Sequence, residues 1–315
     1  MKIHQLLGRP SSVLARALFE FEKPFTYPLG SETFFRISHG DDYSLFFQAQ
    51  GSSCCFVADK NGKVLGVLGT TIRELLLPDG TTRVTAYLCD LKIEREARGG
   101  MVLLRLGRAA ETWLRPQVVA AFGVVMGGTS LLPESYTGRA GIPGFQEVGK
   151  VMILRISGSG GIPKNGCKEF FATKGTVLQN YRSLSRGYYA CMAGNAELRS
   201  EMSPVWLMHP DGAACGLLED TRKAKRLILR DGSELLTAHL SSFAWKSASS
   251  AAQLIDVALK QAAGWGFPAL FLAVAEQNAS ELRAALSNFE VTAAPANVYG
   301  AGLERGAWNI NTSEI

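Results

Sequence analysis

Residues 86–114 read AYLCDLKIEREARGGMVLLRLGRAAETWL, an alternating apolar strand that runs through Arg98-Gly99-Gly100 into an amphipathic helix opening at Met101 and Val102. A junction of this kind can cradle an anion. The first N–H groups of a helix have no partner inside it, and the helix dipole places partial positive charge at the same end. Each backbone donor to a charged phosphate oxygen contributes on the order of 1.5–3 kcal/mol gross. An Arg-Gly-Gly step between strand and helix is equally the composition of an ordinary tight turn, so this segment by itself leaves both readings open.

Several other chemistries have no foothold in the sequence. There is no G-x-S-x-G elbow and no P-loop, and His4, His39, His209 and His239 show no metal-ligand spacing, so no metal is expected. The six cysteines (Cys54, Cys55, Cys89, Cys167, Cys191 and Cys215) include an adjacent pair but no C-x-x-C. Four of them lie in apolar or strand-like stretches, which reads as reduced core thiols in a cytoplasmic protein. Cys89 is expected in the core rather than as a nucleophile, because nothing near it in sequence lowers a thiol pKa. His239, in an apolar strand, reads as a core histidine.

The elements that must position the junction follow from periodicity. Residues 53–77 and 81–93 form an antiparallel meander of three strands, broken by turn signals at Asn61-Gly62 and Asp79-Gly80. The helix to Leu114 is closed by Pro116; a buried strand at 120–129 and a closing strand pair at 144–157 complete a first unit. Gly158–Gly166 is the clearest Gly/Pro/Ser cluster, which places a linker at 158–166 between domains 1–157 and 167–315. The second part repeats the order: hairpins at Asp211-Gly212 and Asp231-Gly232, a helix at 250–266, a buried strand PALFLAVA, a helix NASELRAALSNF and a last strand region at 291–302.

Composition bounds the function. A chain of 315 residues with 47% hydrophobic and 19% charged residues folds around substantial cores, and its length suits two medium domains. The net charge of +5 is spread out, its densest run being Arg222, Lys223, Lys225 and Arg226 without interleaved aromatics. That run reads as a solvated hairpin face, which argues against a nucleic-acid partner and leaves an anionic small molecule compatible. The N-terminal stretch has no continuous apolar core and no apolar run approaches the ~20 residues a bilayer requires, so neither export nor membrane insertion is expected.

The 86–114 segment resembles the cofactor motif of the GNAT N-acetyltransferase superfamily, in which a strand of pattern L-x-V/I enters a loop Q/R-x-x-G-x-G/A that holds the pyrophosphate of acetyl-CoA. Leu91 and Ile93 match the strand, and Arg98 and Gly99 match the Arg-Gly opening of the loop. Met101 and Leu103 occupy the positions where the family carries small residues. In the second half Asn278 and Phe289 match the segment after the buried strand, while the corresponding cradle is Lys246, Ser247, Ala248, Ser249, Ser250 and Ala251. The resemblance implies an α/β (α+β) protein of two tandem GNAT-like domains, each a mixed, mostly antiparallel sheet flanked by helices, with at most one half fully catalytic. Arg98-Gly99 and a tyrosine in the right region favour the first half.

The same resemblance implies direct attack of a substrate amine, from a small molecule or a peptide, on the thioester of acetyl-CoA. Tyr136 is then the general acid, and Asp90 or Glu74 the base. Leu91, Ile93, Arg98, Gly99, Gly100, Met101 and Val102 hold the cofactor, the two strand residues pairing with its pantetheine arm. Three function classes follow: an N-acetyltransferase, a silent acyl-CoA binder, or a scaffold that keeps the fold without the cofactor.

Overall fold

The computed structural model describes residues 1–29, 33–129, 131–158 and 164–315. The first half runs β1 (Lys2–Leu6), α1 (Ser12–Glu22), β2 (Tyr27–Leu29), β3 (Thr33–Ser38), α2 (Leu45–Gln48), β4 (Ser52–Lys60), β5 (Lys63–Leu76), β6 (Thr82–Ile93), α3 (Met101–Leu114), β7 (Ala121–Met126) and β8 (Gln146–Ser157). The second continues α4 (Lys174–Leu184), β9 (Tyr188–Ala190), α5 (Ala196–Arg199), β10 (Val205–Met208), β11 (Ala214–Glu219), β12 (Arg226–Leu229), β13 (Ala238–Trp245), α6 (Ala248–Gly264), β14 (Ala269–Ala275), α7 (Glu276–Ala285), β15 (Glu290–Ala301) and β16 (Ala307–Asn309). Most of the expected linker, residues 159–163, lies outside the described residues.

The expected meander is β4, β5 and β6. Asn61 and Gly62 both take positive φ (57° and 84°), the geometry that a two-residue hairpin needs to match strand twist. The strand-helix-strand β6-α3-β7 follows, with β6 and β7 parallel. In the second half β11, β13, α6 and β14 repeat the arrangement, again with a parallel pair across the helix. Each half even repeats its irregularity. β6 bulges where Asp90 and Leu91 oppose the single Leu68, and β13 bulges where Ser242 and Phe243 oppose Gly216. Asp90 and Ser242 are both non-glycine residues at positive φ, 53° and 44°.

The two halves share one sheet. β8 was expected as a closing strand pair of the first half; it is one 12-residue strand that lies between β14 and β15 of the second. β15 in turn pairs with β7 of the first half, giving a mostly antiparallel path β1-β4-β5-β6-β7-β15-β8-β14-β13-β11-β10. The second half's Asp231-Gly232 turn reverses the chain as expected, with Leu229 N donating to Ser233 O and Leu235 N to Leu227 O, both at 2.8 Å. β12 does not pair with β13 in a hairpin but joins β3 and β2 in a separate three-stranded sheet, because Leu227 faces Ile37 and buries against the first half. That small sheet, built from both halves, lies over one face of the large one. Apolar cores fill the spaces beneath it, between α3 and β4–β5, and under α6 and α7. Among the described residues no helix is long and apolar enough to cross a membrane.

Candidate functional site

β6 and β7 stay paired only from Ala86 to Leu88, opposite Ala121 to Gly123, and then diverge. β7 turns to β15, leaving the β7-facing edge of residues 89–93 without a strand partner. The gap opens into a cavity of about 850 Å³ that runs from α3 beneath the small sheet toward the second half. Its lining is mainly apolar, including Phe25, Leu103, Leu114, Val124 and Phe271, with a few polar groups. That volume lies in the upper part of the roughly 300–1,000 Å³ typical of small-molecule sites.

Of the seven cofactor residues expected from sequence, three line this cavity, while Gly99, Gly100, Met101 and Val102, at the start of α3, do not. Leu91, Ile93 and Arg98 line the cavity, and Arg98 Nε donates to Ile93 O at 3.4 Å. Gly99 has φ of +77° with open space where a Cβ would sit. Gly100 is the N-cap of α3 and supplies no side-chain bond, and no acidic residue occupies the first turn. The N–H groups of that turn are therefore unsatisfied by side chains, as an anion site requires. Met101 is 54% exposed, whereas Val102 is buried against β4 and β5. A Cβ on Gly66 would come within 2.9 Å of Val102 Cγ1, so this glycine lets α3 seat on β5.

The matching segment of the second half is closed. Ser247 caps α6 by accepting from Ser250 N at 3.3 Å, and Ser250 Oγ donates to Asp211 Oδ2 at 3.1 Å. A side-chain cap and a carboxylate at a helix N-terminus do what a phosphate would do there, and repel one. The gap between β13 and β14 is filled as well. Asn311 Oδ1 accepts from Ser242 N at 2.8 Å, Ser313 and Ser241 hydroxyls meet at 2.8 Å, and Thr312 Oγ1 donates to Phe271 O at 3.3 Å. Lys246–Ala251 thus form no open cradle.

At the bulge of β6 the chain assembles a buried polar cluster. The bulge breaks the strand's alternation, so Asp90 points inward beside Lys92, with side chains 5% and 2% exposed. Lys92 Nζ bonds Asp90 Oδ1 at 2.6 Å and lies 3.5 Å from Glu22 Oε1 on α1. Tyr43, in the turn after β3, donates its hydroxyl to the other Asp90 oxygen. The Glu22 carboxylate accepts from His39 N at 3.1 Å and meets His39 Nδ1 as well. Burial pushes the Asp90 carboxyl up, but the Lys92 ammonium and the Tyr43 hydroxyl hold it below the ordinary carboxylate range. Glu22, His39 and Asp90 stand close enough together to resemble a metal-ligand set, but the Lys92 ammonium already lies against both carboxylates. Among the described residues nothing pairs with buried His39 Nε2, a loss that ordinarily costs about 1–3 kcal/mol.

Tyr136 follows a short helical turn at Pro133–Ser135 and lines the cavity, where burial, with Tyr299 nearby, pushes its hydroxyl up to about 12. It therefore keeps its proton. Glu74 is exposed on β5 opposite Val84 and lies away from the cavity; its neighbour Arg73 instead pairs with buried Glu314 at 2.8 Å. Cys89 lines the cavity with its thiol pushed well up by burial, an unreactive form. His239 bonds Thr312 Oγ1 through Nδ1 at 3.0 Å, and its Nε2 is unpartnered. Sequence reasoning passed over Glu22, His39, Tyr43, Lys92 and Lys225. Lys225 belongs to the basic run expected at the surface, yet it is buried at the cavity wall, where burial and the charge of Arg199 pull its ammonium down to about 7.

No protein-family model and no curated protein matches the chain. Among solved structures of similar shape is Saccharomyces cerevisiae N-myristoyltransferase with bound myristoyl-CoA, at TM-score 0.61 and 10% identity, covering 99% of this chain and 87% of that one. A second structure of the yeast enzyme, with myristoyl-CoA and inhibitors, gives TM-score 0.62 at 10% identity and covers 99% and 83%. At that identity the likeness is one of fold. The chain has the tandem GNAT-like fold, in the arrangement seen in N-myristoyltransferase.

Proposed function

We propose that the protein is an acyl-CoA-dependent acyltransferase acting on an amine, with the CoA moiety held by the first half alone. The observation that carries this reading is the pairing of an uncapped α3 N-terminus and an unpaired β6 edge, neither of which has a counterpart in the second half, with a deep apolar cavity lined by residues of both halves. The solved structures of the same fold hold myristoyl-CoA, which supports an acyl thioester as the donor. In this reading the pyrophosphate sits on the first turn of α3 beside Arg98, the pantetheine arm lies along Leu91 and Ile93, and the acyl chain enters the cavity. Beyond Leu91 and Ile93 the cavity continues among apolar side chains such as Phe25, Val124 and Phe271, so the reading favours a longer acyl chain over the acetyl group that the motif suggests. The acceptor is an amine of a small molecule or a peptide.

The amine nitrogen attacks the thioester carbonyl carbon, and collapse of the tetrahedral intermediate breaks the C–S bond. The leaving thiolate needs a proton, which the neutral Tyr136 hydroxyl at the cavity wall supplies. Asp90, with one oxygen on Lys92 and the other on Tyr43, serves as the anchor of the cluster. Thiol release from octanoyl-CoA with a panel of amines tests the activity. Tyr136→Phe lowers kcat about 10²-fold with donor affinity unchanged, and a fully active variant removes Tyr136 from the mechanism. A silent acyl-CoA binder is the second reading, favoured by the large side chains of Met101 and Leu103 in the loop region. It predicts saturable binding with no thiol release from any amine.

A further inference from the structure

An amine that arrives as an ammonium ion must lose a proton before its nitrogen can attack a thioester, and the cluster at the β6 bulge contains a group built to take it. His39 lines the cavity. Its ring is fixed on three sides by Tyr43, Phe46 and Phe47, with centroids 4.6, 5.0 and 5.8 Å away. The Glu22 carboxylate holds the same residue twice, through the main-chain N–H and through Nδ1. That arrangement assigns the ring proton to Nδ1 and leaves the Nε2 lone pair unpartnered. Buried ring nitrogens ordinarily find a partner.

We propose that His39, oriented by Glu22, is the general base that takes the proton of the acceptor amine at Nε2. The inference rests on the acyl-transfer reading above. The ammonium gives one proton to His39 Nε2, and the freed nitrogen pair forms the C–N bond. The C–S bond breaks as the second nitrogen-bound proton replaces the one that Tyr136 has passed to sulfur. His39 then releases its proton to solvent, so the products are amide, thiol and one proton.

The charges around His39 suit that role. The groups around it are Glu22 from α1, Tyr43 from the turn after β3, Asp90 and Lys92 from β6, and Lys225 beyond the Phe46 ring, with Tyr27 from β2 and Cys55 from β4 next to Asp90 and Lys92. Two carboxylates against the Lys92 ammonium leave one negative charge, which a proton on His39 balances. Tyr27, Tyr43 and Cys55 keep their protons because burial holds them up. The other candidates at the cavity are committed elsewhere. Both oxygens of Asp90 accept bonds, and Lys225 Nζ donates to Ile315 O at 2.7 Å and Thr312 O at 3.3 Å. His239 Nε2 is also unpartnered, but no carboxylate orients its ring.

Nitrogen-15 spectra of the histidine-labelled full chain read the proton positions directly, and with four histidines the signals are assignable by single substitutions. The proposal expects neutral His39 protonated at Nδ1 and bare at Nε2 at neutral pH, with Glu22→Gln moving the proton toward Nε2. A wild-type ring protonated at Nε2, or at both nitrogens, overturns it, and this test stands even if a His39 variant fails to fold. In kinetics, His39→Gln is expected to lower kcat 100-fold or more, leave acyl-CoA binding unchanged and remove the acid limb of the pH profile of kcat/KM. A His39→Gln enzyme with wild-type rate and profile overturns the base assignment alone. A wild-type protein that turns over no amine at all overturns the acyl-transfer reading itself, and the base with it.

Discussion

Lengthening the donor acyl chain from two to eight carbons is expected to tighten binding on the order of 10³-fold, since six buried methylenes contribute about 0.8 kcal/mol each, close to fourfold per step. The expectation comes from the cavity, whose lining beyond the β6 bulge is dominated by apolar side chains from α3, β7 and the small sheet. The gain should stop abruptly once the chain reaches the far wall, because a packed interior does not yield to further methylenes without cost. Displacement titration with a series of saturated acyl-CoAs measures both the slope and the stopping point. A flat series, or a preference for the acetyl donor, would show that the cavity does not receive the acyl chain.

Glu314→Gln is expected to destabilise the fold by about 3–5 kcal/mol, the usual cost of removing one member of a buried ion network. Glu314 bonds Arg73 at 2.8 Å and Arg199 at 3.0 Å, and Arg199 also grips Glu219 at 2.7 Å, all with side chains 6% exposed or less. Arg73 belongs to β5 of the first half and Arg199 to α5 of the second, so Glu314 ties the two together beneath the cavity. Burial raises the Glu314 carboxyl, but Arg73 and Arg199 outweigh it and bring it from 4.5 down to about 2. A carboxylate whose folded pKa is depressed stabilises the native state fully above its unfolded value. That contribution, roughly 3 kcal/mol for this shift, is lost as pH falls from about 4.5 through about 2. Urea unfolding at pH 7 and pH 3 should therefore show a steep acid loss in the wild type and a shallower one in Glu314→Gln. Equal acid slopes in the two proteins would place the pH dependence elsewhere.

The sequence carried the local grammar of the fold well, because it lies in short-range signals. Asn61-Gly62, Asp79-Gly80 and the change of period after Gly100 mark β4, β5, β6 and α3 within a few residues. It did not carry the shared sheet. Whether β8 pairs with a neighbour in its own half or with β14 and β15 depends on contacts more than 100 residues away, and an alternating strand reads the same in either place. The same limit explains β12, whose basic run suggested a solvated hairpin while Lys225 turned inward over the Phe46 ring.

The candidate site was legible in one part only. Arg98, Gly99, Gly100, Leu91 and Ile93 announce themselves by spacing along a single junction. Asp90 was visible as a residue but not in its orientation, since alternation would put it on the face opposite Tyr87 and buried Cys89 and only the bulge turns it inward. Glu22 and His39 come from separate elements, and no spacing relates either of them to Lys92. One signal was present: His39 opens a polar break between two apolar segments, where an exposed turn and a buried charged cluster look alike.

The central claim, that one half binds acyl-CoA and the other has closed its cradle, is tested most directly by calorimetric titration of the full chain with octanoyl-CoA. The account predicts a single site, weakened at least tenfold by Gly100→Asp, which puts a carboxylate at the open N-cap of α3. It predicts no change with Ser249→Asp in the first turn of α6, already capped by Ser247. Two sites, no binding, or a single site lost through Ser249→Asp and not through Gly100→Asp would contradict it.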